Sequence, residues 1–341
     1  METITFGDNK FSVAEFNNLI RSDINNTAEG GVCKVAAESG SSYIRMQVFE
    51  EGFTRRILPA EAISYGELSE FFTDVPGKII EVEAPQSIAA SGPFDRAMPT
   101  QYYFAPKAGV FFYDIKTPKF QKNIKTLNTY KMDLRRMIMD NALKSITKQE
   151  DWDFIQLTKE AIGAGGLDIT LNGGLNRNSI VEIAKIMGKQ NLPQGTALTN
   201  FSTFMDFCKL GRNAWGGDGA EKTLREGADG MGEAVMCGVK FISTYKSDIV
   251  NDNIIYLYTQ PDYLGRFYEL EQPTMYVEKK QDRITCEAME TIGMTIVNTR
   301  GVAAVKLFNG GASSNTVYPM PGLYQGTKAV IDGTSGKKPT E

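Results

Sequence analysis

Carboxylates stand in close pairs along the chain, among them Glu50/Glu51, Glu81/Glu83 and Glu150/Asp151. Two acids roughly 5 to 10 Å apart across a sugar are what glycoside hydrolysis requires. Glu81 and Glu83, two apart on a strand, point to one side of it, and charges so placed make a solvated face. Histidine, the side chain that ordinarily titrates near neutrality, is absent from all 341 residues. Ser-His-Asp triads, Cys-His dyads and histidine-bearing zinc sites are therefore excluded. Cys33, Cys208, Cys237 and Cys286 form no CxxC pair, so neither a zinc ribbon nor a redox motif is present. They are expected to be buried thiols in a reducing compartment. Seven glycines lie between Gly211 and Gly232, but a phosphate cradle needs a strand before it and a helix N-terminus after it. Here a helix pattern precedes and a strand pattern follows, so the segment reads as a surface loop. No cofactor and no metal is implied, and the chain is expected not to be an enzyme.

The basic residues carry a stronger signal. Residues 116–148 hold nine Lys or Arg against two acids, whereas residues 11–84 hold twelve acids against six bases. Placed on a helix at 100° per residue, Lys119, Lys122, Lys125 and Arg136 fall on the side away from the apolar stripe. Three readings stay open for that face: a solvated surface, a phosphate track for nucleic acid, and a contact between copies of the chain, because opposite local fields suit head-to-tail association. The candidate intersubunit residues are Glu81 and Glu83 on the acidic side and Lys119, Lys122, Lys125 and Arg136 on the basic side. A net charge of -4 argues against the whole chain coating nucleic acid.

The elements that would position these groups follow from periodicity. Ser12 and Glu15 make a capping box for a helix over 12–25. Alternation predicts strands over 43–49, 78–83 and 110–113. Between the last two, residues 84–108 carry Pro85, Pro93, Pro99 and Pro106, which suits a projecting hairpin better than a compact-domain loop. Thr117-Pro118 predicts the start of a long helix with Phe120, Ile124, Leu127, Leu134, Ile138 and Ala142 on its buried stripe. Thr147 with Glu150 predicts the cap of a second helix, ended by the glycines of 163–166. Helices over 178–188 and 200–210 and a strand over 197–199 come next. Further strands are expected over 239–244, 253–259, 265–270, 274–279, 284–288 and 293–307, before a loose tail from 309. With 42% apolar residues a sizeable core can form, and with no apolar run of about 18 residues no membrane span is expected. The Met1-Glu2-Thr3 start lacks the basic-then-apolar pattern of a signal peptide, so a cytosolic protein is expected.

Three segments, in order, resemble the major capsid protein of tailed bacteriophages. Glu290-Thr-Ile-Gly293 through Asn298-Thr-Arg300-Gly301-Val302-Ala303 resembles the family's closing strand. Gly230-Met-Gly232 through Gly238-Val-Lys-Phe-Ile-Ser resembles its glycine loop leading into a strand. Lys131-Met-Asp133-Leu through Glu150-Asp151-Trp-Asp-Phe154 resembles its spine helix and the acidic turn after it. The resemblance implies an α+β, Hong Kong 97 type capsid fold: an N-terminal arm over 1–41, a strand and turn region over 42–75 and an extended β-hairpin loop over 76–115. It further implies a peripheral domain with the spine helix over 116–190 and 271–309, an axial α/β domain over 191–270 and a tail over 310–341. It also implies a structural protein assembling into pentamers and hexamers of an icosahedral head around double-stranded DNA, without sequence-specific binding or a membrane. Scaffolding, portal and decoration proteins are the implied partners, the virion the location and the bacterial host cytoplasm the place of assembly. No long helical leader precedes the arm, and no Lys–Asn pair stands out for cross-linking. An encapsulin-like compartment shell is similar in fold, and a histidine-free carboxylate α/β enzyme is the alternative of another class.

Overall fold

A computed structural model of the chain describes residues 3–6, 9–69, 74–81, 107–130, 139–172, 175–206 and 233–308. Strands β1 (Thr3–Phe6) and β2 (Asn9–Ser12) form a two-stranded antiparallel ribbon. Helix α1 (Val13–Asn26) follows, with the capping box in place: the Glu15 amide donates to Ser12 Oγ at 3.3 Å, and the Ser12 amide donates to Glu15 Oε2 at 2.9 Å. Phe16, Ile20 and Ile24, at helical spacing, are its buried face. Helix α2 (Lys34–Glu51) replaces the strand expected over 43–49. Ala36, Gly40 and Ile44 lie four apart along it, and a Cβ at Gly40 would run into the Met275 sulfur. Close approach to a neighbouring strand outweighs the local alternation.

Helix α3 (Thr54–Ile57), β3 (Ala60–Ala62), β4 (Gly77–Glu81), β5 (Lys107–Phe111), β6 (Tyr113–Lys116) and β7 (Phe120–Asn123) come next. The long helix expected from Thr117 does not begin there. Thr117 Oγ1 accepts the Ala288 amide at 2.9 Å instead of capping a helix, and β7 pairs with a strand. Helices α4 (Ile124–Tyr130) and α5 (Asp140–Ala164) follow, with 131–138 outside the described residues. Helix α5 runs unbroken through the second expected start, because Thr147 Oγ1 donates to the Leu143 carbonyl at 2.9 Å inside the helix. The acidic stretch from Glu150 to Phe154 is therefore helix and not a turn. Gly165, at φ 152°, sits at the C-cap as the glycines of 163–166 suggest.

The remaining elements are β8 (Leu167–Asn172), α6 (Arg177–Lys189), β9 (Gln194–Asn200), α7 (Phe201–Met205), β10 (Glu233–Met236), β11 (Val239–Thr244) and β12 (Ile254–Thr259). A short helix, α8 (Pro261–Leu264), leads into strands β13 (Gly265–Lys280), β14 (Arg283–Ile296) and β15 (Val302–Phe308). Two expected strands merge into β13, and the one expected over 293–307 splits between β14 and β15.

Two sheets organise the described residues. A six-stranded sheet runs β10-β11-β9-β12-β15-β8. Alternating side chains send Ala197, Phe241, Ile255, Leu257, Ala303 and Val305 to the face covered by α6. Leu198, Ile242, Tyr256, Tyr258, Val302 and Ala304 point to the opposite face, in the same core as Phe154, Ile155 and Ala161 of α5. This sheet joins 194–259 to β8 and β15, which the resemblance assigns to another domain. A five-stranded sheet is built on the β13/β14 hairpin, with β3 beside β13 and β6 and β7 beside β14. Its buried face carries Met275, Val277, Ile284, Cys286 and Ala288. Lys279 Nζ reaches from β13 to the carbonyls of Ile24 (3.0 Å), Asn25 (3.3 Å) and Thr27 (2.8 Å), holding the C-terminal end of α1. Cys33 and Cys286 are buried thiols as expected, Cys237 is exposed contrary to expectation on a turn at φ 50°, and Cys208 lies outside the described residues.

Candidate functional site

Helix α3 brings Arg55 to the seam between α5 and the β13/β14 hairpin, where it is enclosed by acids. Its Nε and Nη2 donate to Glu150 Oε1 at 2.9 and 2.7 Å, Nη1 to Glu269 Oε1 at 3.1 Å, and Nη2 again to Glu290 Oε2 at 3.2 Å. The Arg55 side chain is 1% exposed and those of Glu150 and Glu290 are 0% exposed. The guanidinium also lies 5.4 Å from the Phe267 ring centroid. The next residue on α5, Asp151, accepts the Thr54 amide (3.0 Å) and hydroxyl (2.7 Å) and the ammonium of Lys246 (2.6 Å).

Burial works against the Arg55 charge, but the acids around it more than offset this and keep the guanidinium protonated. Burial pushes the Glu150 carboxyl up to about 7 against the pull of Arg55. Burial, and after it the Glu150 charge, hold Glu290 well above the ordinary carboxylate range. Burial also raises Asp151, with Lys246 pulling the other way. Glu150 Oε2 and Glu290 Oε1 have no hydrogen-bond partner among the described residues. The sequence pairs Glu150 with Asp151 but does not find Arg55, Glu269 or Lys246, which come from other elements. The sequence offers only a weak signal for the buried charges: Arg55 is followed by Arg56 before the apolar Ile57-Leu58, and Glu290 stands between the apolar Met289 and Ile292 but lies three residues from Glu287.

The candidate contact residues are placed as follows. Glu81 ends β4, in register with Lys107 of β5, and Glu83 and Arg136 lie outside the described residues. Lys119 pairs with Glu287 at 3.6 Å and Lys125 with Asp282 at 3.4 Å, both within the chain. Lys122 is half-buried on β7, opposite the buried Ile284 and on the same face as Phe120. The single helical face expected for these lysines is thus corrected: β7 alternates sides, and only Lys125 belongs to α4.

Strands β4 and β5 pair antiparallel at the root of the expected hairpin, with 82–106 between them outside the described residues. The ribbon rests on β14 at Gly293, where a Cβ would meet Val110 and Phe112 side chains at 3.0 Å and the Phe111 carbonyl at 3.1 Å. Its core is small, formed by Ile63, Ile80, Val110, Phe112 and Tyr268. Tyr65, Val75 and Ile79 around it are exposed. The glycine-rich loop lies outside the described residues.

No protein-family model matches the sequence, and no curated protein matches it. Solved structures do match. A virus-like particle from Pyrococcus furiosus aligns at TM-score 0.51 and 14% identity, over 80% of this chain and 99% of that one. The mature capsid of bacteriophage PhiM1 aligns at 0.51 and 10%, over 76% and 88%. The capsid structure of cyanophage P-SCSP1u aligns at 0.50 and 11%, over 90% and 93%. The fold is that of the shell-forming capsid proteins, and the chain has the Hong Kong 97 type fold.

Proposed function

We propose that this chain is the major capsid protein of a tailed bacteriophage, many copies of which close a shell around double-stranded DNA. The observation that carries this is the fold, shared with two phage capsids over 76% and 90% of the chain. The β4/β5 ribbon supports it, because a ribbon with a small core and exposed Tyr65, Val75 and Ile79 suits burial against a neighbouring subunit. Pentamers and hexamers, the virion as location and a non-catalytic role belong to the same reading. Glu150 and Asp151 support the last point: they are sealed at 0% exposure and already engaged by Arg55 and Lys246. Among the described residues no helix is long and apolar enough to cross a membrane. In this reading the ribbon belongs to the extended loop over 76–115, residues 1–41 form the arm, and strands β9 to β12 belong to the axial domain over 191–270. Purified full-length chain is expected to sediment as megadalton particles protecting DNA from nuclease. A small oligomer overturns the reading, and particles filled with protein and free of DNA favour a compartment shell.

Within that reading, Glu81 and Glu83 of one copy pair with Lys119, Lys122, Lys125 and Arg136 of another. Each exposed pair is worth only about 0–1 kcal/mol, so repetition around a ring sets register more than stability. Reversing Lys122 and Lys125 to Glu is expected to reduce particle yield at low salt while the subunit stays folded by circular dichroism. Adding Glu81→Lys and Glu83→Lys restores part of it. Normal sedimentation of the first variant removes this contact and leaves the shell assignment standing.

A further inference from the structure

The charges at the Arg55 seam do not balance. Two bases, Arg55 and Lys246, face four buried acids, Glu150, Asp151, Glu269 and Glu290. Asp151 is well served, with Thr54 and Lys246 on its two oxygens. Glu150 and Glu290 are not. They converge from α5 and β14 on the same Arg55 nitrogen, each offering one oxygen to it and each keeping a second, fully buried oxygen without a partner among the described residues. A buried charge with an unsatisfied acceptor is costly, and two like charges meeting at one donor add repulsion.

We infer that Glu150 and Glu290 retain one proton between them at neutral pH, and that this proton locks α5 to the β13/β14 hairpin. The proton comes from water and sits on one of the two unpartnered oxygens, turning one carboxylate into a neutral carboxylic acid. Its departure breaks that O–H bond, returns the proton to solvent and leaves an additional negative charge sealed in the seam. The surrounding groups fix the direction of the response. Asp151 and Asp153 on α5, Glu269 on β13 and Tyr113 on β6, which donates to Asp153, face the pair without supplying positive charge. Arg55 from α3 and Lys246 from the segment after β11 are the cations, and Lys246 is engaged by Asp151. Glu150 titrates at 4.5 when unperturbed and near 7 when folded. Between those values the folded chain holds more proton than the unfolded chain, so this seam loses stabilising effect as pH rises through the interval. The lock is a property of the folded subunit and stands whether or not the chain forms a shell.

Infrared spectra of the full-length protein test it directly, since a protonated carboxyl has a carbonyl stretch distinct from amide and carboxylate bands. At neutral pH the wild type is expected to show that band, and Glu150→Gln and Glu290→Gln each to remove it or shift it to the remaining partner. The double variant removes it altogether. Absence of the band in the wild type, or its persistence in the double variant, overturns the inference. Stability gives the second readout: the unfolding midpoint of Glu290→Gln relative to wild type is expected to rise as pH rises through the interval between 4.5 and about 7. Glutamine keeps the neutral form at every pH. A difference that does not change with pH also overturns the inference, and if one glutamine variant fails to fold, the wild-type band and the other variant decide.

Discussion

Replacing Arg55 by methionine is expected to cost the folded subunit about 3–5 kcal/mol, the loss typical of removing one partner from a buried ion pair. Methionine follows the apolar stem of arginine past Phe267, so lost packing is a small part of the effect. The larger part is electrostatic, because Glu150, Glu269 and Glu290 stay buried with their shared cation gone. Glu150 and Glu290, already raised by burial, lose the pull of Arg55 that opposes it and hold their protons more tightly, so the loss grows as pH rises. Arg55→Lys is not a conservative change here. The guanidinium spreads Nε, Nη1 and Nη2 over carboxylates from α5, β13 and β14, and one ammonium cannot reach in those three directions. Denaturant midpoints measure both variants. Arg55→Met combined with Glu150→Gln and Glu290→Gln is expected to recover part of the loss, because only Glu269 of the three carboxyls around Arg55 then remains without its cation. A loss below about 1 kcal/mol for Arg55→Met would show that the cations and acids of this seam are not coupled.

The same cluster marks how far the sequence can be read. Local signals were legible: the Ser12/Glu15 box specifies the start of α1, and Gly165 the end of α5, because each works over three or four residues. Periodicity alone also sufficed for α6, whose Ile180, Ile183 and Met187 return to one face. It failed where a distant partner claimed the residue. Thr147 and Glu150 have the spacing of a cap, yet Thr147 bonds within the helix and Glu150 is taken by Arg55, 95 positions away. Thr117 looks like a helix start and is instead tied to Ala288, 171 positions away. Strand β8, absent from the expected elements, is a different case, since Leu167, Ile169 and Leu171 alternate with Asp168, Thr170 and Asn172, a legible period-two signal. The lysine face is not helical throughout, because β14 recruits Phe120–Asn123 as a strand against the helical period of the segment. The order of segments still pointed to the right fold, because order survives errors in the type of single elements.

Phe154→Ala is expected to cost about 3–5 kcal/mol, the range for emptying an aromatic site in a closed core. Phe154 lies one helical turn beyond Glu150 on α5, so the helix is tied to the five-stranded sheet by charge and to the six-stranded sheet by packing. Its ring is fully buried, 5.3 Å from that of Tyr258 on β12 and tilted by 34° to it. Thr158, the next turn along, holds the Tyr258 hydroxyl at 3.2 Å, so the tyrosine is fixed from two sides and cannot swing in to fill the space. Phe154→Leu keeps most of the volume and is expected to lose clearly less than the alanine variant. Tyr258→Phe removes only the hydrogen bond, at a cost of about 1 kcal/mol. Urea midpoints rank the three variants, with alanine the most damaging. If Phe154→Ala proves no worse than Tyr258→Phe, then α5 does not clamp the six-stranded sheet through this ring, and the packing of Ile155 and Ala161 together with the charged seam at Arg55 couples the helix to the rest of the fold.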